Sequence, residues 1–206
     1  MHEGIKITER NLPHWTKEDS IYWITFRLGD SVPQSKIAVW RDERRRWVDA
    51  HPKPWSKEVW LEYHREFELR IDKWLDRGFG SQSLAHPHVR EALKTCMLRF
   101  EGERLNIHCA VIMPTHVHVL LEPLKGYQLS ALLKGMKGAG AREANRILRR
   151  TGPFWEEESY DHIVRNREQY LYFCDYIANN PSKACLGEGA YWFLPRPMDK
   201  DFPLDT

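Results

Sequence analysis

Two apolar runs constrain this chain more than any other feature: Leu105 to Met113 and His116 to Glu122, parted only by Pro114-Thr115. Runs of that length on either side of two turn-forming residues meet most simply as adjacent strands joined by a tight turn. Ile21 to Leu28 (IYWITFRL) is rich in β-branched and aromatic residues and predicts another strand, closed by Gly29-Asp30 and Pro33. Ser159 to Val164 predicts one more. Helical patterns fill the rest: Ser35 to Val48, Ser56 to Leu75, Pro87 to Phe100, Leu129 to Arg150 and Arg167 to Ala178. Pro52 and Pro54 separate the first two, and the second carries Trp60, Tyr63, Phe67 and Ile71 at spacings of three and four, an amphipathic stripe. Arg77-Gly78-Phe79-Gly80 ends that helix, Pro153 breaks the chain after the fourth, and the last stops before Asn180-Pro181. The order predicts an α+β sandwich with helices against one face of a mainly antiparallel sheet. No internal repeat or low-complexity segment interrupts it.

At 206 residues the chain fits one domain, or one domain with a sizeable insertion. Its 31 basic and 29 acidic residues leave a formal charge of +2, so a polycation and an acidic tail protein are excluded, and any nucleic-acid site must be a local patch. No apolar run reaches the length of a membrane span, and MHEGIKITER lacks a secretory h-region. Cys96, Cys109, Cys174 and Cys185 stand far apart without a CxxC pair, which predicts reduced thiols and a cytoplasmic protein.

Three features carry chemistry. His116 and His118 are i and i+2 on a strand, so both imidazoles point to one face and Val117 to the other. They form either a bidentate metal platform or a chance pair of surface histidines, since ten His occur in the chain. Tyr176 and Asn180 stand one helical turn apart on a shared face. The competing reading makes Tyr170, Tyr172, Phe173 and Tyr176 core aromatics and Asn180 a cap before Pro181. From Lys125 to Arg150, Lys125, Lys134, Lys137, Arg142, Arg146, Arg149 and Arg150 face only Glu143, seven charges against one. That is a phosphate-binding surface or a solvated helix face. Gly135, Gly138 and Gly140 lie inside this helix, each costing about 1 kcal/mol relative to Ala, which predicts a kink or ordering on DNA.

Taken together these segments resemble a known family. AVIMPTHVHVLLEP is similar to the metal-binding segment of the single-tyrosine HUH transposases, in which two His flank a hydrophobic residue on a central strand. SYDHIVRN followed by YLYFCDYIANNP resembles the C-terminal signature of one branch, the REP-associated tyrosine transposases, and RNLPHW with WITFRLGDSVP resembles the start of a subgroup. The likeness runs from about residue 10 to 195. It implies an RRM/ferredoxin-like antiparallel sheet backed by helices. Residues 1–206 are then a single HUH-type domain in which 34–83 are a helical insertion after the first strand. Thr115 stands where Asn is commoner in the family.

The resemblance also implies roles. The nucleophile falls on Tyr176, with Tyr172 one turn back as its rival, and the third metal ligand on Asn180 beside His116 and His118. The implied cofactor is a divalent metal, Mg²⁺ or Mn²⁺, acting as a Lewis acid on the scissile phosphate, although imidazoles also accept Zn²⁺. Tyr176 then forms a 5′-phosphotyrosine link and frees a 3′-hydroxyl. A phenol has a pKa of about 10, so a base must take its proton, and His108 and His162 are the candidates. The implied partners are single-stranded DNA hairpins (repetitive extragenic palindromes), with Lys134, Lys137, Arg142, Arg146 and Arg165 as backbone contacts and Trp155 and Trp192 as stacking platforms or core. The expected protein is a cytoplasmic, nucleoid-associated monomer or homodimer with no membrane contact. Its expected activity is DNA cleavage and rejoining, as in DNA transposition and recombination. The alternatives are a catalytically silent hairpin-binding protein, a hydrolase of small phosphoesters and an RRM-like RNA binder.

Overall fold

The structure, a computed structural model, describes residues 6–9, 13–16, 20–52, 55–157 and 159–196. Strands β1 (Lys6–Glu9) and β2 (Pro13–Thr16) pair as a separate antiparallel ribbon. The main sheet contains β3 (Tyr22–Arg27), β4 (Leu105–Ile112), β5 (His116–Pro123), β6 (Tyr160–Ile163) and β7 (Trp192–Leu194), in the order β6-β3-β5-β4-β7. Every neighbouring pair is antiparallel. The β4–β5 turn is as tight as the sequence predicts: Met113 N–H donates to His116 O at 2.9 Å across Pro114-Thr115.

The helices are α1 (Gln34–Ala50), α2 (Lys57–Tyr63), α3 (Leu69–Leu75), α4 (Pro87–Leu98), α5 (Leu129–Ile147) and α6 (Arg167–Lys183). A π-helical turn, His64–Glu68, joins α2 to α3. With α1 to α3 set aside, the chain runs β3-α4-β4-β5-α5-β6, two split βαβ units of ferredoxin-like type. Crossover helices α4 and α5 pack on one face of the sheet, against Ile24, Phe26, Val117, Val119 and Leu121.

The expectation of helices on one face holds for α4 and α5 but misses the opposite face. That face is covered as well, by α6 through Tyr170, Phe173 and Ile177 and by α2 through Trp60, packed on Trp23, Val111 and Leu120. Strand alternation explains the division, because successive residues of β3 and β5 point to opposite layers.

Two helix predictions are corrected. The basic helix α5 is uninterrupted through its glycines, and Gly140 is where α4 comes close: a Cβ there would stand 2.8 Å from Leu93 Cδ1. Helix α6 does not stop before Asn180-Pro181 but continues to Lys183. Proline lacks the N–H of an interior helix residue. The last turn is nevertheless closed by Ala184 N–H on Asn180 O at 3.1 Å, and Ile177, Asn180 and Pro181 are buried. Trp155 is core, its indole N–H donating to Lys137 O at 2.9 Å, and Trp192 is half-buried in β7, a strand the sequence did not predict. Pro54 lies outside the described residues. Among those residues, no helix is long and apolar enough to cross a membrane.

Candidate functional site

His116 and His118 lie in the middle of the sheet, on β5 between β3 and β4. Both are buried on the α6 side, their rings edge to face with centroids 4.6 Å apart. A threonine hydroxyl meets each Nδ1: Thr115 Oγ1 at 2.9 Å from His116 and Thr25 Oγ1 at 2.7 Å from His118. Thr115 donates its one hydroxyl proton to Leu75 O at 3.3 Å. It therefore accepts from His116 Nδ1–H, which leaves Nε2 as a bare lone pair. Burial lowers the His116 pKa to about 3, the Asn180 carboxamide beside it offsetting part of the effect. Burial, with His116 and Lys183 nearby, also holds His118 well below the ordinary imidazole range. Both rings are neutral, the form that ligates a metal.

Helix α6 brings Tyr176 and Asn180 to the same place. Asn166 caps its start by accepting from Gln169 N–H at 2.9 Å, and Phe173 stacks on Trp23 at 4.5 Å. The Tyr176 ring stands edge-on to His118, centroids 5.5 Å apart, and Asn180 is buried one turn further on. His116 Nε2, His118 Nε2 and Asn180 Oδ1 are all buried and have no hydrogen-bond partner among the described residues. Orphaned buried polar atoms are costly and rare in native proteins. Two imidazole nitrogens and a carboxamide oxygen left open together fit a divalent cation. No group of three His, Cys, Asp or Glu gathers as a metal cluster among the described residues, and the Asn180 carboxamide is the neutral oxygen beside the two histidines. A cavity of about 180 Å³ adjoins His116 and is lined also by Thr115, Asp76 and Arg77, with room for water and a ligand oxygen.

The helical segment between β3 and α4 supplies what the sequence reading missed. Asp72 of α3 is buried and accepts the Tyr176 hydroxyl hydrogen bond at Oδ2, while its Oδ1 lies 4.0 Å from His118 Nε2. Burial raises Asp72 to about 7, although the Tyr176 hydrogen bond pulls the other way. Burial and the Asp72 charge push the Tyr176 phenol well above its usual range. One and two turns earlier, Glu68 and His64 are also buried, and His64 Nδ1 meets Glu68 Oε2. His64 Nε2 stands 3.2 Å from the Tyr172 hydroxyl. The rival tyrosine is thus 44% exposed and paired with His64, whereas Tyr176 is 7% exposed beside the open nitrogens. Polar residues at 64, 68 and 72 repeat every four positions along this segment, each one residue after Tyr63, Phe67 and Ile71, so their stripe lies beside the apolar one. Lys183, also unpredicted, places its ammonium 4.5 Å from the Tyr176 ring centroid.

Other candidates are engaged elsewhere. His108 lies 3.1 Å from Glu122 Oε2 and 3.3 Å from the Tyr170 hydroxyl. His162 Nδ1 accepts the Trp60 indole N–H at 3.1 Å. The group on the Tyr176 hydroxyl is Asp72, not either histidine. Lys134, Arg142 and Arg146 are exposed on α5, with Arg146 paired to Glu143 at 2.9 Å. Lys137 instead fixes the loop before β6, donating to Glu156 O, Glu157 O and Ser159 Oγ at 3.1, 3.2 and 2.9 Å. All four stand across the sheet from the histidines, while Arg165 is exposed in the link from β6 to α6.

Comparison with known proteins gives structural neighbours alone. No family model matches the chain, and no curated protein matches it. Among solved structures it is similar to a REP-associated tyrosine transposase bound to a REP hairpin, at 15% identity over 85% of this chain and 74% of that one, with a TM-score of 0.46. It is also similar to a structure described as a "putative transposase" from Deinococcus radiodurans R1, at 15% identity, 84% and 96% coverage, and a TM-score of 0.33.

Proposed function

We propose that this chain is a metal-dependent single-stranded DNA endonuclease and strand transferase, a transposase acting beside hairpin palindromes through a 5′-phosphotyrosine intermediate. One observation carries the reading. Three buried atoms left open, Nε2 of His116 and His118 and Oδ1 of Asn180, belong to neighbouring side chains, and the His118 ring adjoins the ring of Tyr176. That set suits Mn²⁺ or Mg²⁺ with open positions for phosphate oxygens. When bound there, the ion supplies Lewis acidity at the scissile phosphate.

The chain's own residues do the rest. Thr115 orients the His116 ring, and Thr25 contacts the His118 ring at the same nitrogen, so that Nε2 is presented in each. Tyr176 attacks phosphorus and remains as the 5′-phosphotyrosine, which conserves the energy of the broken diester for rejoining. Lys183 adds a positive charge next to the attacking ring, where negative charge collects on the phosphate. Lys134, Arg142, Arg146 and Arg165 bind the hairpin backbone; a strand touching both α5 and Tyr176 passes round an edge of the sheet.

The test is direct. Incubate the protein with single-stranded flanking genomic DNA and Mn²⁺ or Mg²⁺, then run a denaturing gel. A covalent protein–DNA adduct that depends on the metal is the expected result. Hairpin binding without any adduct rejects the enzyme and leaves a binding protein.

A further inference from the structure

The Tyr176 hydroxyl must lose a proton as it attacks, and the group that holds this proton in the structure comes from outside the sheet and α6. Asp72 stands 104 positions earlier, on α3, and accepts the Tyr176 hydroxyl through Oδ2. It is buried, and its neighbourhood is built: the π turn and α3 reach α6 at two successive tyrosines, His64 meeting Tyr172 and Asp72 meeting Tyr176. π turns inside helices occur often at functional sites. Lys183 cannot serve, because a charged ammonium has no lone pair to accept with.

We propose that Asp72 is the catalytic proton acceptor for Tyr176, so that the helical segment between β3 and α4 completes the active site. This rests on the transposase reading above. In cleavage the phenol O–H bond breaks and its proton passes to Asp72 Oδ2 while the phenolic oxygen bonds to phosphorus. The bond from phosphorus to the 3′ oxygen breaks, its electron pair stays on that oxygen, and water supplies the proton of the 3′-hydroxyl. In rejoining, the 3′-hydroxyl attacks phosphorus and gives its proton to water. The phosphotyrosine bond breaks, and Asp72 returns its proton to the phenolate.

Asp72→Asn separates acceptance of the proton from simple positioning, since the carboxamide oxygen still accepts a hydrogen bond but is a far weaker base. Single-turnover adduct formation on a hairpin substrate with Mn²⁺ is expected to slow by about 10²–10⁴-fold, the usual contribution of a positioned base. Mn²⁺ affinity by calorimetry and hairpin affinity are expected to stay at wild-type levels. A fluorinated, more acidic tyrosine installed at position 176 is expected to recover part of the rate in the Asp72→Asn protein, which a purely structural role does not predict. Asp72→Ser, smaller and still polar, repeats the rate test should Asp72→Asn fail to fold. Wild-type rates in the variants overturn the proposal. Loss of Mn²⁺ binding in them overturns it too, by moving Asp72 among the metal ligands. A wild-type protein that forms no adduct rejects the transposase reading itself, and this proposal with it.

Discussion

The two faces of the main sheet are built from alternate residues of the same strands yet hold very different material. On the α4–α5 side, Val117, Val119 and Leu121 of β5 enter a layer made of hydrocarbon and aromatic rings. On the α6 side, His116 and His118 occupy the alternate positions, with Thr25 from β3, Asp72 from α3 and Asn180 from α6 gathered around them. The first face gains stability from apolar burial, on the order of 1.5–3 kcal/mol for each fully buried Val or Leu. The second buries two imidazole Nε2 atoms and a carboxamide oxygen that have no hydrogen-bond partner among the described residues, a local cost that a packed core avoids. The strand's two-residue period lets one element carry both, because a change on one face leaves the side chains of the other in place. Local rules are broken at the candidate site and kept where the fold is held.

Four variants probe this division. The largest effect is expected from replacing His116 and His118 together by Ala: calorimetry should register no Mn²⁺ binding, while hairpin binding and the folded state persist. Retained metal binding would mean that the open nitrogens are not the site. On the other face, Leu121→Ala should lower unfolding free energy by about 2–5 kcal/mol in a urea titration and leave metal affinity unaltered. If Leu121→Ala also weakened metal binding, the two faces would not be independent. Thr115→Val removes the acceptor from His116 Nδ1–H, and metal affinity should fall by about 10–100-fold. The smallest effect concerns the outer side of α5. Lys134→Ala with Arg142→Ala should reduce the salt slope of hairpin binding by about 1.4, at roughly 0.7 per single-strand phosphate contact. An unchanged slope would remove α5 from the DNA surface.

Much of the framework could be read directly from the chain. Pro114-Thr115 between two apolar runs announces the β4–β5 hairpin, and His116 and His118 share a face because the strand period is two. The spacing of Tyr176 and Asn180 predicts one helical turn, provided that the helix continues, and here local reasoning failed. Pro181 reads as a stop, but burial of Ile177 and Pro181 carries α6 through it. The layer covered by each helix was not legible either. Trp60 and Phe173 are apolar in any sequence reading, and only the register of the strands decides which face they meet. Asp72 was hidden for a related reason. A carboxylate in a helix is ordinarily solvated, and the burial of this one against Tyr176 depends on contacts between segments more than a hundred residues apart.

The central claim is that Tyr176 carries the covalent bond to DNA. Trap the adduct on a single-stranded hairpin substrate with Mn²⁺, digest it, and locate the nucleotide by peptide mass spectrometry. The expected result is a nucleotide on the peptide containing Tyr176, at the phenolic oxygen, with no adduct formed by Tyr176→Phe. That variant should also lose about 1–3 kcal/mol of stability, since the buried Asp72 carboxyl forfeits its donor. A nucleotide found on Tyr172, the exposed phenol beside His64, would contradict the account, as would the absence of an adduct on any tyrosine.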